Sequence, residues 1–353
     1  MKKVLPLLCI LVNLGAFAQA PLSVFDSIGQ AHAKLRNFSG TILLAQEGQV
    51  TYEASFGQAD LVIGTPNTLD TQYPIASVTK LFTALVIMQL VEEGKLNLHT
   101  PVAQILPAWD ISHSEYITPH HLLLHASGLK KESDRTYRKP LTSTEMLSKA
   151  LSKSYVSTDF EQFRYNNVDY LLLGQVIEEV TGKPWADQVQ ERILTPLKMG
   201  QTGFHQAGNH PEGLVKTYSQ SRAGTLKSDP VIYWQNFYAA GNMYSTAQDL
   251  LKLHVALGSE QLLSNESKET LYKMHPEWGC PAYSVWTYKY PFVASKPRLM
   301  ERRGGILGAN CVLVRGLEED FALIILSNNS AFNPDSFGDP TNLREALLMA
   351  AFE

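Results

Sequence analysis

The residues in this sequence best suited to chemistry are Ser77 and Lys80, three positions apart in the segment 75–80. If a helix begins near Ser77, both side chains lie on one helical face, so the Lys80 ammonium reaches the Ser77 hydroxyl. A serine hydroxyl becomes a good nucleophile when a base accepts its proton, and lysine can do so where burial or a nearby cation lowers its pKa. A capping serine beside a solvated lysine fits the same spacing, so this pair alone does not identify an active site.

A second candidate group is Tyr165-Asn166-Asn167, directly before a predicted helix. In an extended segment, residues two apart face the same side, so Tyr165 and Asn167 can point into one cleft. Tyr165 can then exchange a proton with a leaving group if Lys80 stabilises its phenolate, and the Asn167 amide can bind a substrate carbonyl. An Asx turn beside a half-buried tyrosine is the simpler interpretation of the same residues.

The elements that must position these residues follow from the hydrophobic pattern, which predicts strands at both chain ends and helices between them. Apolar residues at helical spacing predict helices at 24–35, 78–93, 120–125, 170–180, 247–257 and 342–351. Alternating or β-branched runs predict strands at 41–45, 50–55, 283–290, 298–303, 311–315 and 321–327. A sheet built from both chain ends, with a helical insertion, fits this order.

Composition limits the class of protein. The chain has 353 residues, of which 44% are hydrophobic and 18% charged, so it can bury a large core and is neither disordered nor fibrous. Thirty basic and 34 acidic residues give a net charge of −4, which offers no attraction to nucleic acid or an anionic membrane. The expected partner is therefore a small-molecule or peptide substrate, and composition does not indicate an oligomeric state.

The first 20 residues have the three parts of an export signal. Lys2 and Lys3 precede an apolar run from Val4 to Leu14, and small residues then lead to Ala20. The run is shorter than the roughly 20 apolar residues that a spanning helix needs, which argues against the alternative of a membrane anchor. We therefore expect a periplasmic or secreted protein whose mature chain begins after the signal and has no membrane span.

Cysteines and histidines give little support to a metal or thiol site. Cys280 and Cys311 remain in the expected mature chain, either as a disulfide or as two buried thiols. His121 and His125 are one helical turn apart and follow His120, but no H-E-x-x-H motif or remote acidic partner accompanies them. Structural histidines are the simpler interpretation, so we predict no metal and no cofactor.

Several stretches, in this order along the chain, resemble the serine β-lactamase and penicillin-binding-protein superfamily. The resemblance is greatest to its class C-like branch of esterases, D-amino-acid peptidases and β-lactamases, and it is carried by residues 38–40, 75–80, 90–96, 117–129, 165–167, 171–182, 240–247 and 326–328. It implies that Ser77 is the acylated nucleophile, Lys80 its proton acceptor and Tyr165 the partner that completes proton transfer.

The resemblance also implies a fold. It is an α+β fold of the β-lactamase/transpeptidase type, in which a mainly antiparallel sheet is flanked by N- and C-terminal helices and carries an inserted helical lobe. We expect residues 1–20 to be the signal and 21–353 the catalytic domain. Within that domain, the sheet lobe is expected at about 21–68 and 258–353 and the helical lobe at about 69–257.

The third motif of the family departs from its usual form. The family has Lys-Thr-Gly or His-x-Gly on the strand that edges the site, and this chain has Arg302 where Lys or His is usual. Arginine stays protonated, so it cannot shuttle a proton, but it can bind a carboxylate through two donors. Strand alternation places Arg302 towards the cleft and Glu301 and Arg303 on the opposite face, where we expect surface charges. Arg302 filling space or pairing with a local acid is the alternative.

Two glycines follow this arginine. Gly304 and Gly305 would let substrate backbone lie close to the strand. The resemblance implies that the amides of Ser77 and Gly305 form an oxyanion hole. Upstream of Tyr165, residues 159–163 stand where relatives tend to carry a Pro-Gly turn, so we expect this loop to have a different shape.

The sequence thus predicts an exported serine hydrolase that acts through an acyl-enzyme on an amide, ester or β-lactam carbonyl. Arg302 favours carboxylate-bearing substrates such as a D-Ala peptide or a β-lactam. Two alternatives remain open: a broad-specificity carboxylesterase, and a penicillin-binding or sensor protein that acylates without turnover.

Overall fold

Strands from the two ends of the chain meet in one six-stranded antiparallel sheet, as the sequence predicts. The computed structural model describes residues 22–152, 157–206, 211–278 and 281–353. Its strands are β1 (Gly40–Gln46), β2 (Gln49–Phe56), β3 (Gln58–Asp60), β4 (Thr65–Pro66), β5 (Tyr73–Pro74), β6 (Gly203–Phe204), β7 (Tyr218–Gln220), β8 (Leu226–Ser228), β9 (Met243–Ser245), β10 (Trp286–Lys289), β11 (Arg298–Ile306), β12 (Ala309–Gly316) and β13 (Phe321–Ser327).

The helices lie mostly between β5 and β10, which is the insertion that the pattern predicts. They are α1 (Leu22–Arg36), α2 (Thr79–Glu92), α3 (Val102–Ile105), α4 (Pro119–Leu123), α5 (Ser143–Leu151), α6 (Asn167–Thr181), α7 (Trp185–Val189), α8 (Tyr238–Gly241), α9 (Ala247–Leu257), α10 (Asn265–Tyr272) and α11 (Leu343–Phe352). Among the described residues, no helix is long and apolar enough to cross a membrane.

The sheet has the order β10-β11-β12-β13-β1-β2, so the first strand lies beside the last. Gly40 of β1 is opposite Ser327 of β13, and this antiparallel register continues to the pair Gln46 and Phe321. Every residue of β13 is buried, as expected for a central strand covered on both faces. A separate three-stranded sheet with the order β5-β9-β6 links the segment before Ser77 to the segment after α8.

The two faces of the large sheet are covered by different parts of the chain. On one face, α1 and α11 pack against each other and share a core with the sheet that includes Phe25, Ile42, Leu323 and Leu347. On the other face lie α9 and the turn that carries Ser77, followed by the helical region. Helix α2 is apolar on nearly all sides, so it is buried at the centre of that region.

The lobe boundaries stay a prediction, and some packing crosses them. Helix α9 lies in the expected helical lobe but packs on β1 and β13, whereas α10 lies in the expected sheet lobe but contacts α2. Residues 1–20, which carry the expected signal, lie outside the described residues, and so does Cys280. Cys311 is a buried free thiol whose Sγ contacts the Ile75 carbonyl at 3.2 Å.

The expectation that Glu301 and Arg303 are surface charges is wrong for Glu301. Alternation does turn Glu301 away from Arg302, but α11 covers that face of the sheet and leaves Glu301 0% exposed. Its carboxylate pairs with the buried Arg344 of α11, and Arg303 pairs with Glu301 and with the exposed Asp335. The pattern predicted the face correctly, but it did not indicate that a terminal helix would cover it.

Candidate active site

Ser77 lies in a short 3₁₀ turn, Ala76–Val78, that leads directly into α2. The residue before it, Ala76, has a φ of +45°, which is uncommon for a residue with a side chain and holds the turn in a strained form. Lys80 is one turn further into α2 and is fully buried, whereas Ser77 stays partly exposed. The predicted nucleophile is therefore accessible, while the predicted base is shielded from water.

The structure brings together the three residues that the sequence predicts to be catalytic. Lys80 Nζ lies 3.1 Å from Ser77 Oγ, and the Tyr165 hydroxyl donates to the same Oγ at 2.7 Å. Lys80 Nζ also donates to Asn167 Oδ1 and to the Ala240 carbonyl, both at 2.8 Å. Ser77 thus lies within hydrogen-bonding distance of two groups that can take its proton.

Burial and neighbouring charges bring the pKa values of the two bases together. Burial lowers the pKa of Lys80 to about 8, and the charge of Arg302 adds to this, although Tyr165 opposes it. For Tyr165, burial raises the pKa, but the charges of Lys80 and Arg302 outweigh it and bring the value down to about 8. One proton can therefore move between the amine and the phenol near neutral pH.

Arg302 lies beside Lys80 and Tyr165, but its guanidinium donates to protein acceptors and does not face the cleft. Its Nε donates to the Ser77 carbonyl and its Nη1 to the Ser284 carbonyl, both at 2.7 Å, and its Nη2 donates to the Tyr165 hydroxyl at 3.0 Å. The residue is 1% exposed and lines neither of the two cavities at Ser77. The geometry therefore argues against the expected carboxylate-binding role and makes Arg302 a support for Tyr165.

The segment before Tyr165 directs that residue to the nucleophile without a Pro-Gly turn. Its backbone is tied to the end of α4, because the Glu161 amide donates to the Ala126 carbonyl and the Arg164 amide to the His125 carbonyl. The His125 ring packs on the Tyr165 ring with 4.4 Å between centroids. The unusual sequence at 159–163 thus still presents Tyr165 to Ser77.

The histidines have structural contacts. The Asn166 amide donates to His125 Nδ1, and burial followed by the charges of Lys80 and Arg302 lowers the pKa of His125 well below its usual value. His125 is therefore neutral and fixes the backbone beside Tyr165. His121 caps its own helix through Thr118. Among the described residues, no group of three His, Cys, Asp or Glu is arranged to hold a metal ion.

Asn167 is in the site, but its amide is engaged by the protein. Its Oδ1 accepts from Lys80, and its Nδ2 donates to Glu132 Oε1 at 2.7 Å and to the Tyr137 hydroxyl at 3.1 Å. Both amide hydrogens are thus occupied, so the geometry favours a role in positioning Lys80 over the expected binding of a substrate carbonyl.

Sequence reasoning missed Glu132 and Tyr137, which form one wall of the site. Both are buried, and the Tyr137 hydroxyl donates to Glu132 Oε1 at 2.5 Å. The Tyr137 ring stacks on Phe237 at 3.7 Å between centroids, which joins the two chain segments of this wall. The charged segment 130–139 looks like an ordinary surface loop in the sequence, so no local signal marks Glu132.

The two glycines of β11 have different surroundings. A Cβ at Gly304 would lie 2.4 Å from the Ile75 carbonyl and 2.7 Å from Cys311 Sγ. Gly304 therefore lets β11 lie against the nucleophile turn, which differs from the expected role of admitting substrate backbone. Gly305 is exposed and lines both cavities at Ser77, which is where an oxyanion-binding amide would be needed.

Two cavities meet at Ser77, and Tyr165 and Gly305 also line both. The larger one measures about 340 Å³ and is lined on its far side by Trp286, Arg303 and Asn333, with other residues around them. The other measures about 320 Å³, and its remaining walls are formed by Lys131, Glu132, Asp134, Tyr137, Arg138, Asn167, Pro230, Ile232, Phe237, Ile306 and Leu307. Volumes of this size accommodate a small acyl group on one side and a leaving group on the other.

A protein-family model described as Beta-lactamase matches residues 26–348, which include every residue of this site. This chain belongs to the beta-lactamase family. Teichoic acid D-alanine hydrolase from Staphylococcus aureus is 34% identical to this chain over 273 residues. That alignment covers 77% of this chain and 66% of the relative, so the chain spans just under two thirds of the relative's length.

Solved structures of the beta-lactamase family confirm the predicted α+β fold. A penicillin-binding protein homologue from Pyrococcus abyssi, described as octameric, is 26% identical with a TM-score of 0.79, covering 92% of this chain and 76% of that one. A D-amino acid amidase from Ochrobactrum anthropi is 25% identical with a TM-score of 0.78, covering 93% and 98%. Relatives of this member of the beta-lactamase family are thus named as a hydrolase and as an amidase.

Proposed function

We propose that this chain is an exported hydrolase that cleaves D-amino acyl esters or amides through an acyl-enzyme on Ser77. The observation that carries the mechanism is the position of Ser77 Oγ between Lys80 Nζ at 3.1 Å and the Tyr165 hydroxyl at 2.7 Å. The substrate class is suggested by the names of the teichoic acid D-alanine hydrolase and the D-amino acid amidase.

In the first half of the reaction, Ser77 Oγ attacks the substrate carbonyl carbon and gives its proton to the Lys80–Tyr165 pair. The carbonyl oxygen becomes an oxyanion, for which we propose the amides of Ser77 and Gly305 as donors. When the tetrahedral intermediate collapses, the bond to the leaving group breaks and Tyr165 returns a proton to the departing oxygen or nitrogen. The product of this half is an ester between Ser77 and the acyl group.

In the second half, a water molecule replaces the leaving group. The same pair takes a proton from the water, the resulting hydroxide adds to the acyl carbon, and the bond to Ser77 Oγ breaks. Ser77 recovers its proton and the free acid leaves. Because one pair serves both halves, the same pKa values near 8 govern acylation and deacylation.

The burial of Arg302 bears on the choice of substrate. A guanidinium that donates to Ser77, Ser284 and Tyr165 and is 1% exposed gives no support to a substrate carboxylate beside the scissile bond. D-alanyl esters lack such a carboxylate, whereas penicillins and D-Ala-terminated peptides carry one. This observation favours the ester or amide of a D-amino acid over the β-lactam, and it also keeps the broad carboxylesterase as a second candidate.

The non-turnover sensor has less support, because Lys80 and Tyr165, our proposed bases for deacylation, both lie within hydrogen-bonding distance of Ser77 Oγ. Export rests on the sequence of residues 1–20 alone, and intact mass of protein recovered from the periplasm or medium would test it by locating the mature N-terminus.

Steady-state hydrolysis of matched esters tests the proposed substrate class. D-alanine ethyl ester, L-alanine ethyl ester and ethyl butyrate share a leaving group and differ only in the acyl part. We expect the D-alanyl ester to have the highest kcat/KM, with loss of all hydrolysis in Ser77→Ala. Equal rates on ethyl butyrate would instead support the carboxylesterase, and turnover of a penicillin with none of the esters would overturn the proposal.

A further inference from the structure

Glu132 is a buried carboxylate in the wall of the 320 Å³ cavity at Ser77, and only one of its two oxygens accepts hydrogen bonds from the described part of the chain. The residue is 6% exposed, and its Oε1 accepts from Tyr137 and Asn167. Among the described residues, Oε2 has no hydrogen-bond partner. A buried carboxylate oxygen without a donor costs free energy, so such an atom in a ligand cavity indicates that a donor is expected there.

The buried ammonium group of Lys80 does not donate to Glu132 Oε2. The three donors of Lys80 are taken by Ser77, Asn167 and the Ala240 carbonyl, and Asn167 separates the ammonium from the Glu132 carboxylate. Lys80 and Glu132 are thus opposite ends of one hydrogen-bonded chain. The carboxylate is held in place through Oε1, while Oε2 of this cavity-lining residue is buried without a donor among the described residues.

On the other side of Ser77, the 340 Å³ cavity is lined by a basic residue, Arg303. Arg303 is paired with Glu301 and Asp335, so its charge is already compensated by the protein. Arg302 is buried and engaged with protein acceptors. Within the described ranges, the cations Lys80, Arg302 and Arg303 at the site are thus engaged by protein acceptors, whereas the Glu132 carboxylate keeps an oxygen without a donor.

We propose that Glu132 binds the free ammonium group of an aminoacyl substrate and so selects acyl groups with an unmodified α-amino group. This inference rests on the proposed function and specifies its substrate: the acyl part of the ester or amide must be cationic. An α-amino nitrogen lies about 2.5 Å from its own carbonyl carbon, so an acyl group on Ser77 keeps its ammonium inside the cavity that Ser77 and Glu132 share. The remaining apolar wall, which includes Ile232 and Phe237, packs against the rest of the acyl group.

A substrate with an acylated amino group loses this interaction. The amide nitrogen of an N-acetyl group has one hydrogen and no charge, so it cannot replace an ammonium beside a carboxylate, and the acetyl group also occupies the space in front of Glu132. Discrimination against N-acylated substrates is expected even where both compounds carry the same scissile ester.

Hydrolysis of D-alanine ethyl ester and N-acetyl-D-alanine ethyl ester at pH 7 measures this selection. For the wild type we expect kcat/KM to favour the free amine by at least about tenfold, the range of a charge-assisted hydrogen bond. Glu132→Gln, which preserves shape and removes the charge, should lose most of that preference, because kcat/KM should fall much more on the free amine than on the N-acetyl ester. Glu115→Gln, which removes an exposed carboxylate outside both cavities, should keep the preference.

Two outcomes would overturn the inference while leaving the hydrolase intact. One is Ser77-dependent hydrolysis of both esters by the wild type without a preference for the free amine. The other is an equal loss on both esters in Glu132→Gln, which would make Glu132 only a positioning residue for Asn167 and Lys80.

A binding measurement tests the ammonium site independently of turnover. In Ser77→Ala, calorimetry should find tighter binding of D-alaninamide than of N-acetyl-D-alaninamide, and the added Glu132→Gln change should remove the difference. This result would support the ammonium site even if neither ester is hydrolysed, in which case the proposed function alone has failed. Equal binding of the two amides would contradict the ammonium site.

Discussion

Arg302 donates a hydrogen bond of 3.0 Å to the hydroxyl of Tyr165, the same hydroxyl that donates to the nucleophile. Its Nε also holds the carbonyl of Ser77. The guanidinium group of arginine carries a permanent positive charge. Arg302 therefore holds Tyr165 in position, and its charge lowers the pKa of both Lys80 and Tyr165, the pair that we propose to be catalytic.

This contact predicts how activity depends on pH. Below about pH 8, Lys80 and Tyr165 both carry their protons, and loss of one proton creates the base, so kcat/KM should rise with an apparent pKa near 8. The charge of Arg302 lowers both values, so Arg302→Met should move the rise to higher pH. Each unit of this shift lowers kcat/KM at pH 7 about tenfold.

The measurement is a pH profile of kcat/KM for the wild type, Arg302→Met and Arg302→Lys. The lysine variant retains a charge and should shift the profile less than the methionine variant. A profile in Arg302→Met with the same apparent pKa as the wild type would show that the guanidinium does not act on the pair.

The burial of Arg302 also predicts its effect on substrate choice. Arg302→Met should lower kcat/KM by a similar factor for a neutral ester and for an ester with a carboxylate near the scissile bond, because the side chain is 1% exposed and contacts neither. Parallel kinetics on ethyl butyrate and monoethyl succinate would measure this. A loss at least tenfold greater for the carboxylate substrate would restore Arg302 as a substrate-binding residue.

Gly304 predicts a specific packing defect. In Gly304→Ala the new Cβ would meet the backbone carbonyl of Ile75 at 2.4 Å, so β11 or the nucleophile turn must move. Overpacking of this kind costs about 1–3 kcal/mol, and movement of Ser77 should lower kcat strongly. Gly200→Ala is the control, because a Cβ there meets nothing within 4 Å. Unchanged thermal stability and activity in Gly304→Ala would contradict the close approach.

The buried pair of Glu301 and Arg344 predicts a loss of stability. Both residues are 0% exposed, so Glu301→Gln removes one of the two buried carboxylates that pair with Arg344, Glu345 being the other, and should cost about 3 kcal/mol of unfolding free energy. The exposed pair of Lys183 and Glu191 gives a comparison, in which Glu191→Gln should cost no more than about 1 kcal/mol. Chemical denaturation of the two variants measures both, and equal small losses would contradict a structural role for Glu301.

The sequence predicted the elements and the central residues well, because their signals are local. Helix α9 has the predicted bounds, and the approach of Lys80, at the start of α2, to Ser77, in the 3₁₀ turn before it, follows from helical geometry. The link from Ser77 to Tyr165 spans 88 positions and was predicted from family resemblance, which spacing alone could not have provided.

The residues that sequence reasoning misplaced or missed are buried by parts of the chain that are distant in the sequence. Glu301 was expected on the surface, but it is buried by α11, whose Arg344 lies 43 positions further along the chain. Arg302 was expected to be open to substrate, but it donates instead to the carbonyls of Ser77 and Ser284. Glu132 gave no signal, since its burial depends on Tyr137 and Asn167 meeting it in space.

The central claim is that Ser77 forms a covalent acyl-enzyme, and intact-mass spectrometry tests it most directly. Wild-type protein treated with a fluorophosphonate at pH 8 should gain one stoichiometric adduct, and peptide mapping should place it on Ser77. Ser77→Ala should gain none, whereas Ser133→Ala, which changes an exposed serine, should be labelled like the wild type. Absence of an adduct on the wild type, or an equal adduct on Ser77→Ala, would contradict the claim that Ser77 is the activated nucleophile.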